Sequence, residues 1–75
     1  MSKLPVVKCK DLVRALKSVG FLQHRQRSSS HLAMKHEDGR RTIVPMHSNK
    51  DIPKGTLLAI IKDIQITKEE LVKIL

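Results

Sequence analysis

The sequence predicts an α+β domain in which helices cover one face of a three-stranded antiparallel sheet. Three observations support this prediction: two apolar runs have helical spacing, an alternating segment with an Asp-Gly turn lies between them, and a helix-capping sequence follows the second run. Helices that flank a group of strands in this way usually pack as one layer against the sheet. The chain has 75 residues, so we expect a single domain over 1–75.

The first helix is predicted over residues 8–19. Its apolar side chains recur at helical spacing and are Leu12, Val13, Leu16 and Val19. Gly20 follows at once, as is typical of the residue that ends a helix in the left-handed conformation. Residues 1–7, which include Pro5, are expected to form a short unanchored lead.

Three strands are expected next, over residues 21–27, 31–36 and 41–44. Three consecutive serines predict the first turn, and Asp38-Gly39 predicts a hairpin turn between the second and third strands. A polar loop is expected over 46–55.

The central strand alternates in polarity. Leu32 and Met34 point to one face, so His31 and Lys35 point to the other. If the helices cover Leu32 and Met34, His31 and Lys35 lie on the open face of the sheet.

Two more helices are predicted after the loop. The first has core residues at helical spacing, namely Leu57, Ile60, Ile61 and Ile64. The second is short and begins at a capping box, in which the Thr67 hydroxyl and the Glu70 side chain each bond the other residue's backbone N–H.

The composition is strongly basic, with 15 Lys and Arg against 7 Asp and Glu and a formal charge of +8. Such a domain suits nucleic acid, an anionic membrane or an acidic protein. No apolar run approaches the roughly 20 residues of a spanning helix, and the basic residues are spread along the chain, so we expect no membrane association.

Cys9 is the only cysteine, which fits a reducing, cytoplasmic compartment. With Phe21 as its only aromatic residue, the chain should bind RNA backbone and shape, because it cannot stack several bases on aromatic rings.

Neither a metal site nor a serine-hydrolase triad is expected. His31 and His36 are five residues apart on one strand and therefore face opposite ways. No other spacing brings three or four ligands together, and the chain lacks a nucleophile elbow. We expect no metal and no cofactor.

RNA cleavage needs fewer groups, since the nucleophile is the substrate's own 2′-hydroxyl. One histidine can transfer the proton, and nearby cations can stabilise the developing charge. His31 has Lys35 on the same predicted face, and the arginines nearby in sequence are Arg25, Arg27, Arg40 and Arg41. Composition alone favours the ordinary interpretation, a surface histidine.

Four segments, in this order and at these separations, resemble the HicA family of bacterial toxin ribonucleases: Val19-Gly20-Phe21, Ser29-Ser30-His31, Val44-Pro45-Met46-His47 and Lys54-Gly55-Thr56-Leu57. The resemblance implies a double-stranded-RNA-binding-like α-β-β-β-α fold, here with a short extra C-terminal helix. It also implies metal-independent cleavage of mRNA with His31 as the catalytic residue. The partner that it implies is an antitoxin of the HicB family that covers this histidine.

The chain departs from the family at one position, because the usual glycine before Ser-His is Ser29. If the family's glycine holds a positive φ, a serine in its place is strained by about 1 kcal/mol, which would affect the loop geometry and the level of activity. The alternative is that the serine is a harmless change in a turn. Ser30, by contrast, matches the family's serine.

The expected RNA contacts are Ser30, Lys35, Arg25, Arg27, Lys54, Gly55 and Thr56. The last three begin the second helix, where free N–H groups favour a phosphate, although ordinary helix-start chemistry explains these residues equally well.

His47 is a possible auxiliary proton carrier, but a histidine that orders its loop is the favoured interpretation. A non-catalytic RNA-binding module of the same fold, or an adaptor for an acidic protein, stays open as an alternative.

Overall fold

The structure is a computed structural model and describes residues 4–28, 30–46 and 50–75, with the backbone alone over 25–28. The elements in chain order are α1 (Cys9–Ser18), β1 (Phe21–Ser28), β2 (His31–His36), β3 (Arg41–Pro45), α2 (Lys54–Ile64) and α3 (Lys68–Ile74). The strands form one antiparallel sheet in the order β1-β2-β3. This arrangement confirms the predicted α+β, double-stranded-RNA-binding-like fold with its extra C-terminal helix.

The core lies between the helices and one face of the sheet. Its most deeply buried side chains are Phe21, Leu12, Leu16, Met34, Leu57, Ile60, Ile64, Leu71 and Val44. The four core residues predicted for α2 are all buried. Val19, the last apolar residue of the helix predicted over 8–19, is 37% exposed, because α1 ends at Ser18 and Val19 follows its last turn.

Residues 4–7 differ from the expected unanchored lead. Val7 is buried, and its carbonyl accepts a hydrogen bond from the backbone N–H of Ile52 at 2.8 Å. Lys8 and Asp51 form the next bridge between the same two segments. The segment before α1 is therefore held against the loop before α2, and the part of the predicted lead before residue 4 lies outside the described residues.

The two C-terminal helices begin differently. α2 starts at Lys54, inside the expected loop, and Pro53 precedes it without a side-chain cap. The capping box of α3 is confirmed: Thr67 Oγ1 accepts from the Glu70 N–H at 3.0 Å, and Glu70 Oε1 accepts from the Thr67 N–H at 2.9 Å.

Two glycines adopt positive φ, Gly20 at +98° and Gly39 at +99°. They differ in their surroundings. A Cβ on Gly20 would lie 2.7 Å from His36 Nε2, whereas a Cβ on Gly39 would meet nothing within 4 Å. The His36 ring packs edge-on against Phe21, with 5.1 Å between ring centroids, so it has little freedom to move aside.

We expect Gly20→Ala to destabilise the fold more than Gly39→Ala. Both substitutions strain a positive-φ position by about 1 kcal/mol or more, and the first also displaces the His36 ring from Phe21. Urea unfolding of the two variants measures the difference. Equal losses of stability would show that His36 yields to the new methyl group without cost.

Candidate functional site

The central strand separates a buried face from an open one. Leu32 and Met34 are buried in the core, while His31 and Lys35 are exposed. The predicted alternation is therefore confirmed. His31 stands at the first position of β2 on the sheet face that the helices do not cover.

The position of His31 is fixed from both sides. In the sheet register it is opposite Ser28 of β1 and Pro45 of β3. The carbonyl of Ser30 accepts a hydrogen bond from the backbone N–H of Met46 at 2.7 Å, which ties the turn before His31 to the end of β3. Backbone contacts with both neighbouring strands thus place this histidine.

The hydroxyl of Ser30 contacts the imidazole ring directly, with 3.1 Å between Ser30 Oγ and His31 Nδ1. The tautomer of the ring decides which atom donates. When Nδ1–H donates to Oγ, Nε2 is the basic nitrogen, and when the hydroxyl donates to Nδ1, Nε2 carries the proton. Either way, Ser30 orients the ring.

The open face carries cations and apolar groups together. Leu22, Lys35 and Arg41 are aligned across the three strands, and Ala33 is opposite Ile43. Leu22 is 69% exposed and Ile43 is 38% exposed. We did not predict these apolar residues at the surface, although the alternation along β3 places Ile43 on the side opposite Val44. The three strands, all within the described residues, contain no Asp or Glu.

Lys35 is not adjacent to His31, although both lie on the open face. The two residues share a face but are four positions apart on β2, which corresponds to about 13 Å between their Cα atoms. Lys35 therefore lies at the opposite end of the open face from His31.

Arg40 does not join this face. Its Nε donates to Asp38 Oδ2 at 2.8 Å, its Nη1 donates to the Ile64 carbonyl at 2.7 Å, and its guanidinium lies 5.1 Å from the Phe21 ring centroid. The expectation that Arg40 stabilises charge near His31 is wrong, because the side chain joins the hairpin turn to the end of α2.

The remaining histidines have different surroundings. The His36 ring packs on Phe21, and its Nδ1 accepts a hydrogen bond from the Asp38 N–H at 3.1 Å. His24 is exposed, and His47 lies outside the described residues, as does Ser29. Within residues 4–28, 30–46 and 50–75 no group of three or more His, Cys, Asp or Glu could hold a metal ion.

The other expected RNA contacts are spread over two elements. Lys54 and Gly55 are exposed at the start of α2, and a Cβ on Gly55 would meet nothing within 4 Å, so no backbone crowding requires glycine there. Arg25 and Arg27 belong to β1, where the register pairs Arg25 with Ala33; their side chains lie outside the described part.

An open groove of about 730 Å³ connects the open face with α2 along β3. It brings together Lys35 and Thr56, two of the expected RNA contacts, with Arg41. Asp63 also lines the groove, and its Oδ2 accepts from the Thr42 hydroxyl at 2.9 Å. Sequence analysis gave no signal for this pair, because its members are 21 positions apart and lie on different elements.

Comparison with known proteins identifies the family to which the chain belongs. A family model described as HicA toxin of bacterial toxin-antitoxin matches residues 9–66, well over half of the chain. The chain belongs to the HicA toxin family. This HicA chain is accordingly a toxin of a toxin–antitoxin system, with an antitoxin as its partner. A search of curated proteins found no match at the required significance.

The matched part of this HicA chain contains the whole sheet, α1 and α2, whereas α3 follows it. The buried Leu71 packs α3 into the common core. Across the described residues, no helix has the length and apolar character needed to cross a membrane.

The hairpin turn contains a carboxyl group, that of Asp38, whose titration departs from its ordinary value. The backbone N–H of Arg40 donates to Asp38 Oδ1 at 3.0 Å and, with the Arg40 guanidinium, lowers the pKa of the Asp38 carboxyl below 3.8. A lowered folded-state pKa means that the ionised carboxylate stabilises the folded chain. This contribution is complete above the unfolded-state pKa and is lost as the pH falls through the lowered value.

We expect Asp38→Asn to reduce the acid sensitivity of this HicA chain. The amide keeps an oxygen for the Arg40 N–H but has no charge to lose, so unfolding temperatures of variant and wild type should converge as the pH drops below about 4. Thermal unfolding across this range provides the test. Asp11→Asn is the control, since it removes a carboxylate from an exposed pair with Arg14 that contributes little. Parallel pH curves for wild type and Asp38→Asn would contradict the assignment.

Proposed function

We propose that this toxin is a metal-independent endoribonuclease that cleaves mRNA in the cytoplasm and that His31 transfers the proton. The observation that supports this most is the exposed His31 ring, oriented by the Ser30 hydroxyl at 3.1 Å on a sheet without carboxylates. Membership of a toxin family generally associated with nuclease activity agrees with it.

The proposed reaction uses the ribose 2′-oxygen as nucleophile. This oxygen forms a bond to the adjacent phosphorus while the bond from phosphorus to the 5′-oxygen breaks, which leaves a cyclic phosphate and a free 5′-hydroxyl. His31 Nε2 takes the proton of the 2′-hydroxyl, in the tautomer whose Nδ1–H donates to Ser30 Oγ. Because the site is exposed, water can supply the proton that the 5′-oxygen needs.

Cations on neighbouring positions complete the proposed site. In the β1–β2 register, residues 26 and 28 are opposite 32 and 31, so Arg27 belongs to the stretch of backbone nearest His31 and is proposed to stabilise the charge on the phosphorane. Arg25 is proposed to assist it. Lys35 and Arg41 would hold phosphates farther along the RNA, because they lie at the other end of the open face.

The start of α2 is a further proposed contact. The backbone N–H groups of Lys54, Gly55 and Thr56 belong to the first turn, where the helix dipole favours phosphate. His47 stays a possible auxiliary group. The proposed partner is a HicB-type antitoxin that covers His31 and thereby blocks access of RNA.

We expect His31→Ala to lower RNA cleavage by about 10²- to 10⁴-fold, the usual contribution of a general acid or base, and to abolish growth arrest. The unfolding temperature should stay unchanged, because the side chain is exposed. Cleavage of a defined mRNA by purified protein, with and without EDTA, is the measurement.

Two outcomes would contradict the proposal. Full activity of His31→Ala would remove His31 from the reaction. Intact RNA after long incubation with wild type, together with steeply salt-dependent binding, would favour the non-catalytic RNA-binding module.

Ser30→Ala should reduce kcat by about ten-fold and leave KM nearly unchanged, because the hydroxyl orients His31 instead of binding RNA. Ser30→Thr, which keeps the hydroxyl, is the matched control and should restore much of the rate. Steady-state kinetics on a short RNA separates the two parameters. If KM rises while kcat holds, Ser30 is an RNA contact and does not position the ring.

A further inference from the structure

The groove along β3 contains a feature that the proposed cleavage step does not use. Lys35 and Arg41 line it from the open face, and Asp63 lines it from α2. Cations are expected where RNA phosphates bind, but a carboxylate in the same groove repels phosphate. Asp63 therefore fits a hydrogen-bond donor on the ligand better than it fits the RNA backbone.

The carboxylate of Asp63 is held in one orientation. Thr42 is almost completely buried, and its hydroxyl donates to Asp63 Oδ2 at 2.9 Å. No other donor to Asp63 is found among the described residues, so Oδ1 keeps its capacity to accept a hydrogen bond from a ligand. Asp63 itself is exposed, which leaves this oxygen accessible.

We propose that this groove binds one base of the RNA and that Asp63 selects that base by accepting a hydrogen bond from its exocyclic amine. The inference rests on the proposed function, since it assigns part of the RNA to a surface next to His31. Carboxylates recognise the cytosine amine in this way on nucleic acids, and single-stranded RNA exposes its base edges to proteins.

The groove also offers planar and apolar surfaces for a base. The single aromatic ring, Phe21, is buried and cannot stack on RNA. Arg41 lines the groove on β3, the strand that also contains Thr42, and guanidinium planes stack on bases. Ile43, 38% exposed, adds an apolar surface.

The location of the groove relates the bound base to the scissile linkage. Ala33 lines the groove and lies two residues after His31 on the same strand face, about 7 Å along β2. A base in the groove therefore belongs to a nucleotide close to the bond that is cut.

The chemistry of Asp63 predicts which bases bind. Adenine, cytosine and guanine each present an exocyclic amine. Uracil has no exocyclic amine, and its one base-edge donor, N3–H, lies between two carbonyl oxygens that the carboxylate repels. One hydrogen bond to a charged acceptor corresponds to about a ten-fold preference over uracil.

The test is the binding of fluorescent hexanucleotides of A, C and U to His31→Ala protein, with and without Asp63→Asn. The His31 substitution prevents cleavage during the measurement. Asparagine can keep its amide oxygen on the Thr42 hydroxyl and present its NH₂ group in place of Oδ1, so the preference over uracil should fall from about ten-fold to near none. Asp11→Asn on α1 is the matched control, because it also removes one negative charge and should keep the preference.

Several results would overturn the inference. One is equal binding of all three oligonucleotides by protein that keeps Asp63. This result does not depend on whether any Asp63 variant folds. An unchanged preference in folded Asp63→Asn protein would also overturn it. Weaker antitoxin binding by Asp63→Asn with unaltered RNA preference would assign the groove to the protein partner.

The failure of the proposed function would look different. If wild type cleaves no RNA but the preference over uracil exists and depends on Asp63, the groove recognises a base on a non-catalytic module. If wild type cleaves RNA, mapping its cut sites should show uracil disfavoured at one position near the cut, and Asp63→Asn should remove that bias.

Discussion

The alternation of side chains along β2 is the constraint on which both the fold and the site depend. Leu32 and Met34 are buried on one face, and His31 and Lys35 are exposed on the other. Burying a Leu or Met side chain contributes about 1.5–3 kcal/mol, whereas burying an unpaired imidazole or ammonium is costly. A one-residue shift of register would reverse all four positions. The free energy that stabilises the core therefore also keeps His31 exposed to solvent.

The two ends of β2 are held by different contacts. At its start, the Met46 N–H bond to the Ser30 carbonyl holds the turn before His31. At its other end, Arg40 bonds both Asp38 and the carbonyl of Ile64, which joins the hairpin turn to the C-terminus of α2. A cation at a helix C-terminus also interacts favourably with the helix dipole. The hairpin turn thus joins the sheet to α2, and the start of β2 carries the exposed His31.

Local patterns in the sequence predicted the elements well. The bounds of β2 follow from its period-two alternation and the Asp38-Gly39 turn, and α3 follows from a capping box that spans only four residues. Contacts between distant segments could not be predicted in this way. Val7 is anchored by Ile52, and Arg40 reaches Ile64 across 24 positions. Such pairings depend on how the elements pack, which no local period encodes.

The same distinction between local patterns and long-range contacts applies to the candidate site. The alternation of side chains along the strand predicted that His31 lies on the open face, and its contact with Ser30 is local because the two residues are adjacent in the sequence. The separation of Lys35 from His31 along β2 follows from strand geometry alone. The Thr42–Asp63 pair joins β3 to α2 and could be found only in three dimensions.

The placement of carboxylates explains how a chain with seven acidic residues presents a positive face. All seven lie in helices, turns or loops, and none lies in a strand. Asp11, Asp38 and Asp51 are each paired with a nearby Lys or Arg, which reduces their field at longer range. Asp63 differs from them because its described partner is a neutral hydroxyl, which leaves its charge in place. In the proposed function, the net charge of +8 attracts RNA to the whole molecule without regard to sequence, and discrimination between bases then needs a local group of the opposite sign at a fixed position.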